Sequence, residues 1–316
     1  MSDKNKGIIY YLAITFGLAW LIWGVPLLFG ALALSSGFQI IQILGAFAPA
    51  LAAAVVRGWI TREGFADSGL NLRIKDNWRY YLVALLLPFG ITAIVMMLAV
   101  LFQVGQPDFS LSLYFKATVP PDQQPPAPGF NIWIGLILQL MVNSLVTTPF
   151  LFGEEFGWRG YLQTRLFADS PIASAVITGF LWGIWYLPLN LAGYNYDGHP
   201  ILGSVVFLVT AIFLSIIFGW LFVQTKGIWV PSLAHAAANS IGVSLLQVLF
   251  AGRADLLFVG YYGILSWVPL GATCAWIIST GRLQPNSPLK GERLIVSLTE
   301  TMTQTGRKET PNETKE

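Results

Sequence analysis

Two adjacent carboxylates, Glu154 and Glu155, stand at the end of a long uncharged stretch and are followed by Arg159, in the run Phe152-Gly153-Glu154-Glu155-Phe156-Gly157-Trp158-Arg159-Gly160. Two neighbouring acids cannot serve one purpose. On a helix Glu155 and Arg159 are i and i+4 and pair on one face, while Glu154 points about 100° away. Asn143 and Thr147 precede Glu154 by 11 and 7 residues and share its face, so that side is expected to line a polar cavity with Glu154 as the free carboxylate. A second polar set lies in Pro231-Ser232-Leu233-Ala234-His235-Ala236-Ala237-Ala238-Asn239-Ser240, where His235 and Asn239 are again i and i+4. A third is Trp182-Gly183-Ile184-Trp185-Tyr186-Leu187-Pro188-Leu189-Asn190, whose Tyr186 and Asn190 share the same spacing and whose Pro188 should disturb a helix. Each has an ordinary reading as well: an interfacial helix end, an alanine-rich packing face around a hydrogen-bonded His, and an aromatic belt.

The elements that must position these groups are membrane spans. Of 316 residues, 55% are apolar and 11% charged, against about a quarter charged in soluble domains. The mean hydropathy is +0.63. A single Cys, Cys274, excludes a disulfide framework, and two His, His199 and His235, are too few for the usual multi-histidine metal sites. The net charge of +2 gives no indication of nucleic-acid binding. Charge-free stretches cover residues 7–56, 80–107, 123–153, 170–196, 200–225, 227–252 and 256–281. The first is long enough for two helices of about 20 residues, broken at Ser35-Ser36-Gly37. The pattern predicts an all-α polytopic bundle of about eight transmembrane helices over 1–281 and a disordered cytoplasmic tail over 282–316.

With the N-terminus cytoplasmic, the alternating loops place 16 of the 18 Lys and Arg inside and only Lys116 and Arg253 outside, which predicts both termini in the cytoplasm. The first apolar run exceeds the roughly 7–15 residues of a signal-peptide core and reads as a span. Residues 104–129, with Pro120, Pro121, Pro125, Pro126 and Pro128, are expected to be an irregular external loop. Counted at 1.5 Å per residue, Tyr186 lies about 22 Å into its span and His235 about 12 Å, so a tilted or late-starting fifth helix is needed to bring them level.

Taken in order, Glu-Glu-x-x-x-Arg at 154–159, the aromatic segment ending in x-Pro at 182–188, and His-x-x-x-Asn at 235–239 resemble the three motifs of the CAAX-processing and bacteriocin-processing (CPBP, or Abi) family of intramembrane proteases. The resemblance covers residues 130–250, and an eight-span plan fits it. It implies that Glu154 activates the attacking water, that Glu155 and Arg159 form a supporting pair, and that His235 and Asn239 stabilise the oxyanion. The chemistry is sound, because a carboxylate withdrawn from water is a stronger base and fixed donors stabilise developing negative charge. The departure is in the second motif. The family has Phe-x-x-x-His before x-Pro, whereas this chain has Trp182-x-x-x-Tyr186 before Leu187-Pro188. A phenol is a poor proton acceptor at neutral pH, so Glu154 would be the sole base with Tyr186 orienting the water, or activity would be lost. His199, 13 residues beyond Tyr186, is expected in an external loop.

The resemblance implies an intramembrane endopeptidase acting on a peptide or membrane-associated protein within membrane lipid, and the short loops without a eukaryotic targeting pattern point to a bacterial plasma membrane. The alternative is a catalytically inactive relative that binds membrane peptides or confers bacteriocin self-immunity. A proton relay through Glu154 and His235 is a third class, which the absence of internal repeats does not favour. The family often carries a metalloprotease label, but Glu154, His235 and Asn239 make a poor zinc set, so no metal or other cofactor is expected.

Overall fold

The helical repeat is interrupted at a few prolines and glycines, and these interruptions shape the bundle. In the computed structural model, residues 3–120, 122, 130–167 and 169–284 are described, and among them all regular structure is helical. The α-helices are α1 (Asp3–Leu28), α2 (Ser36–Ala46), α3 (Ala48–Val55), α4 (Ile74–Leu101), α5 (Ser112–Thr118), α6 (Phe130–Gly157) and α7 (Pro171–Trp185). There follow α8 (Leu187–Leu191), α9 (Pro200–Thr225), α10 (Trp229–Ala237), α11 (Ser244–Leu249), α12 (Leu256–Val259) and α13 (Trp267–Ser279). Three π-helical turns, Val56–Ile60, Trp158–Leu162 and Ala238–Val243, extend α3, α6 and α10 without a break in the chain's course.

Among the described residues seven helical segments are long and apolar enough to cross a membrane, and the protein is a polytopic integral membrane bundle. The segment expected as a further span is α7, only 15 residues or about 22 Å long, short of the roughly 30 Å of a hydrocarbon core, yet with α8 it carries the chain from Gln163, against Gly219, to Tyr196, against Gly203, toward opposite ends of α9. Pro188 is the reason. It sits in the first turn of α8 and has no N–H to give to the carbonyl one turn back, so α7 stops at Trp185 and the chain restarts as α8.

The bundle is built around the Trp229–Leu249 span, the most enclosed of the seven. Its α10 packs on α6, α4 and α9; α6 packs on α3, and α9 on α7 and α13. Small residues set these approaches. A Cβ on Gly157 would lie 2.6 Å from both the carbonyl carbon and oxygen of Pro49, and one on Gly179 would lie 2.6 Å from Ile212 Cα, so α6 meets α3, and α7 meets α9, backbone to backbone.

Two expectations change. The fourth span does not end at residue 153: α6 runs to Gly157 and its π turn to Leu162, so Glu154, Glu155 and Arg159 lie inside the bundle, not at an interfacial helix end. Part of the external loop is regular, since residues 112–118 form α5. Asp108 organises its approach by accepting from the Ser110 N–H (3.1 Å), the Ser112 hydroxyl (3.0 Å) and the Leu113 N–H (3.1 Å). The Ser110 hydroxyl bond, followed by these others, holds the Asp108 carboxyl well below the usual carboxylate range. The expected tail lies, from residue 285 on, outside the described residues, as do Pro121, Pro125, Pro126 and Pro128.

Candidate active site

Where α6 gives way to its π turn, the paired acids take different partners. Arg159 Nη1 donates to Glu155 Oε1 at 2.8 Å, one helical turn away, and both side chains are fully buried. The guanidinium lies over the Trp182 ring at 4.8 Å and the Phe218 ring at 5.2 Å, so its charge is met by a carboxylate and two aromatic faces. Glu155 Oε1 also meets His235 Nδ1 at 2.9 Å. A carboxylate accepts only, so Nδ1 carries the proton, and Nε2 is the ring nitrogen turned away from this pair.

Glu154, 1% exposed, makes no contact with a cation among the described residues. Its two oxygens are taken by α7: Trp182 Nε1 donates to Oε2 at 2.8 Å and the Tyr186 hydroxyl donates to Oε1 at 3.0 Å. The side chains sit one turn apart at the end of α7, which Pro188 terminates just beyond them. Trp182 also answers the depth mismatch. It is the α7 residue level with His235, their rings 5.2 Å apart at a steep angle.

Glu154, Trp182, Tyr186, His235 and Asn239 all line one cavity of about 530 Å³. Its walls come from α2, α6, α7, α9, α10, α11 and the segments 194–196 and 260–262, and no Lys or Arg is among the lining residues. Asn239 lies in the Ala238–Val243 π turn, which alters the i, i+4 stacking on His235 that a regular α-helix imposes. The Tyr262 hydroxyl donates to Asn239 Oδ1, which leaves the Asn239 amide N–H groups for the cavity.

Thr147 lines the cavity as its spacing predicts, whereas Asn143 is exposed on α6 and does not. Asn190 is fully buried away from the cavity and accepts from Asn195 Nδ2 at 2.7 Å, because the break after α7 rotates it off the Tyr186 face. His199 is remote from these groups and pairs with Asp255 at 2.7 Å. Sequence spacing missed Trp182 as a donor and Tyr262 as the residue orienting Asn239. The first was hidden in an aromatic run, and the second lies 23 residues from its partner with no periodic relation to it.

A metal ion does not fit these donors. Glu155 is engaged by Arg159 and His235, Glu154 by Trp182 and Tyr186, and among the described residues no three His, Cys, Asp or Glu side chains form a metal-binding group. What the arrangement offers is a buried carboxylate facing a cavity, with an imidazole and an amide beside it.

Residues 130–241 match the family model of type II CAAX prenyl endopeptidase Rce1-like proteins, a protease family. The matched stretch runs from the start of α6 into the π turn after α10 and contains Glu154, Glu155, Arg159, Tyr186, His235 and Asn239. No curated protein matches the chain.

Proposed function

We propose that this chain, which carries an Rce1-like domain over residues 130–241, is an intramembrane endopeptidase that hydrolyses a peptide bond with Glu154 as general base. The observation that carries the reading is the division of labour between the acids: Glu155 neutralises Arg159, while Glu154 faces the cavity with no Lys or Arg beside it among the described residues. A water held between Glu154 and the Tyr186 hydroxyl gives a proton to Glu154 as its oxygen attacks the scissile carbonyl carbon. The oxyanion is met by Asn239 Nδ2–H and, in its protonated form, His235 Nε2–H. Glu155 steadies the imidazolium through Nδ1. Glu154 then returns the proton to the leaving nitrogen as the C–N bond breaks.

The substrate is a peptide or membrane-associated protein. On this reading both termini are cytoplasmic, which the asymmetry of the basic residues supports, and the membrane is taken as a bacterial plasma membrane. The test compares new peptide termini in membranes containing the wild type with those containing Glu154→Gln, which keeps the shape and removes the base. Termini that appear only with the wild type are expected. Identical sets, with both proteins folded and equally abundant, would refute the enzyme.

One observation favours a second reading, an inactive relative that binds membrane peptides or confers bacteriocin self-immunity. Both Glu154 oxygens already accept a hydrogen bond, and one donor is Tyr186 where the family has His. Tyr186→His separates the two, since a weak enzyme gains cleavage from the added base and a binding protein cleaves nothing in either form.

A further inference from the structure

The cavity has one closed end and one open end, and they lie on opposite sides of the bundle. Beneath Glu155 and Arg159 the protein is sealed by the connection between α3 and α4. Arg57, fully buried, donates to the Gly64 carbonyl at 2.7 Å and to Asp67 at 2.8 Å, and Arg165 donates to Glu63 at 2.6 Å. The Arg57 hydrogen bond holds the Asp67 carboxyl below its usual range. So pinned, the connection is bonded to the start of α10, with the Ile228 N–H donating to the Gly69 carbonyl at 2.9 Å and Trp229 Nε1 to the Leu70 carbonyl at 2.7 Å. Ser68, fully buried, lies against Gly160 of the α6 extension. No residue of this connection lines the cavity.

At the other end the cavity reaches the surface through Leu34, Gln39 and Gln247, all exposed, beside Tyr194, Asn195 and Leu256. Leu34 belongs to the α1–α2 turn and Gln39 to the first turn of α2; Tyr194 and Asn195 follow α8, Gln247 is in α11 and Leu256 opens α12. The two ends differ in charge. Arg57, Arg62, Arg73, Lys75, Arg79 and Lys226 lie at the sealed end, with Glu63, Asp67 and Asp76 among them. Among the described residues, the basic side chains at the open end are Lys116 and Arg253, in company with Asp108, Asp122, Asp197 and Asp255. Arg253 is within 3.8 Å of Asp108. A basic end is retained in the cytoplasm.

We infer that the cavity opens on the extracytoplasmic face, so the peptide that reaches Glu154 is a neutral or basic segment presented from outside the cell and cut at an internal bond. This rests on the endopeptidase reading for the cleavage, and on the geometry together with the asymmetry of the basic residues for the sidedness. A lipidated cytoplasmic C-terminus would meet the sealed end, and its terminal carboxylate would find no Lys or Arg on the cavity wall. The rim amides of Gln39, Asn195 and Gln247 suit the main chain of an extended peptide.

The test uses the full chain with Cys274→Ser, which removes its single thiol, and one new cysteine at a time. Gln39→Cys and Gln247→Cys report the rim, and Lys75→Cys and Arg79→Cys report the basic end. In intact cells a membrane-impermeant sulfonated maleimide should label the two rim cysteines as fully as in opened cells, and the two basic-end cysteines only after opening. The reverse pattern, or rim cysteines that stay unlabelled in both, overturns the inference. A second arm tags new N-termini with an impermeant amine reagent. Glu154-dependent termini tagged in intact cells support the substrate assignment, and termini tagged only after opening overturn it. If no termini depend on Glu154 while the labelling stands, the protease reading and the substrate assignment fall and the sidedness survives.

Discussion

Arg159→Met isolates the contribution of the buried charge pair. In the native protein Nη1 lies 2.8 Å from Glu155 Oε1 with both side chains at 0% exposure, so removing the cation leaves an uncompensated buried carboxylate. Breaking such a pair costs about 3–5 kcal/mol. The guanidinium's stacking on Trp182 and Phe218 adds about 1 kcal/mol, much of which Met recovers through sulfur–aromatic contact. Two effects oppose the loss. His235 Nδ1 still bonds Glu155 at 2.9 Å, and the substitution deletes Arg159 Nε and Nη2, buried atoms without partners. The Trp182 and Phe218 ring faces already meet part of the need of these N–H groups, so their relief is taken as about 1 kcal/mol in all, at the low end for an unsatisfied donor, and the net destabilisation is about 2–4 kcal/mol, or roughly 30- to 1,000-fold in the folding equilibrium. The assay is equilibrium unfolding in mixed micelles titrated with a denaturing detergent. Adding Glu155→Gln to Arg159→Met removes the stranded charge and keeps an acceptor for His235, so the double variant should regain more than half of the loss. A single variant within about 1 kcal/mol of wild type, or a double variant no better than the single, refutes the account of this pair.

Trp182→Phe keeps the ring but deletes the donor to Glu154 Oε2; a hydrogen bond to a charged group contributes about 1.5–3 kcal/mol, so kcat should fall roughly 10- to 100-fold with KM little changed. An unchanged kcat would mean that the bond does not position the base. Gly157→Ala drives a methyl into the Pro49 backbone and should cost about 1–3 kcal/mol in the same micelle titration, whereas Gly17→Ala, with nothing within 4 Å, should be neutral. Equal effects at the two sites would contradict the close approach of α6 and α3. Asp108 has its folded-state pKa depressed, so its stabilisation is present above the unfolded value of about 4 and is lost as pH falls through the folded value. The melting gap between wild type and Asp108→Asn should therefore narrow on acidification below pH ~4, and a gap that widens there would remove Asp108 as the organiser of the α5 approach.

What the sequence determined about this protein is whatever depends on short range. A charge cannot sit in lipid, so the charge-free stretches mark the spans, and the Glu155–Arg159 pair follows from i, i+4 spacing alone. The same rule misplaced the end of α6, because it stops a span at the first carboxylates; the helix continues since Arg159 neutralises Glu155 inside the bundle and Gly157 lets α3 close over it. Pro188 announced a break after the aromatic run, but which face of α7 would meet Glu154 depended on how α7 packs against α9. Only the tertiary structure set the Trp182 and Tyr186 donors on Glu154, the Tyr262 hydroxyl on Asn239, and the connection that seals the basic end. Each joins segments 23 or more residues apart, where the closing distance is fixed by helix packing and no local periodicity carries the information.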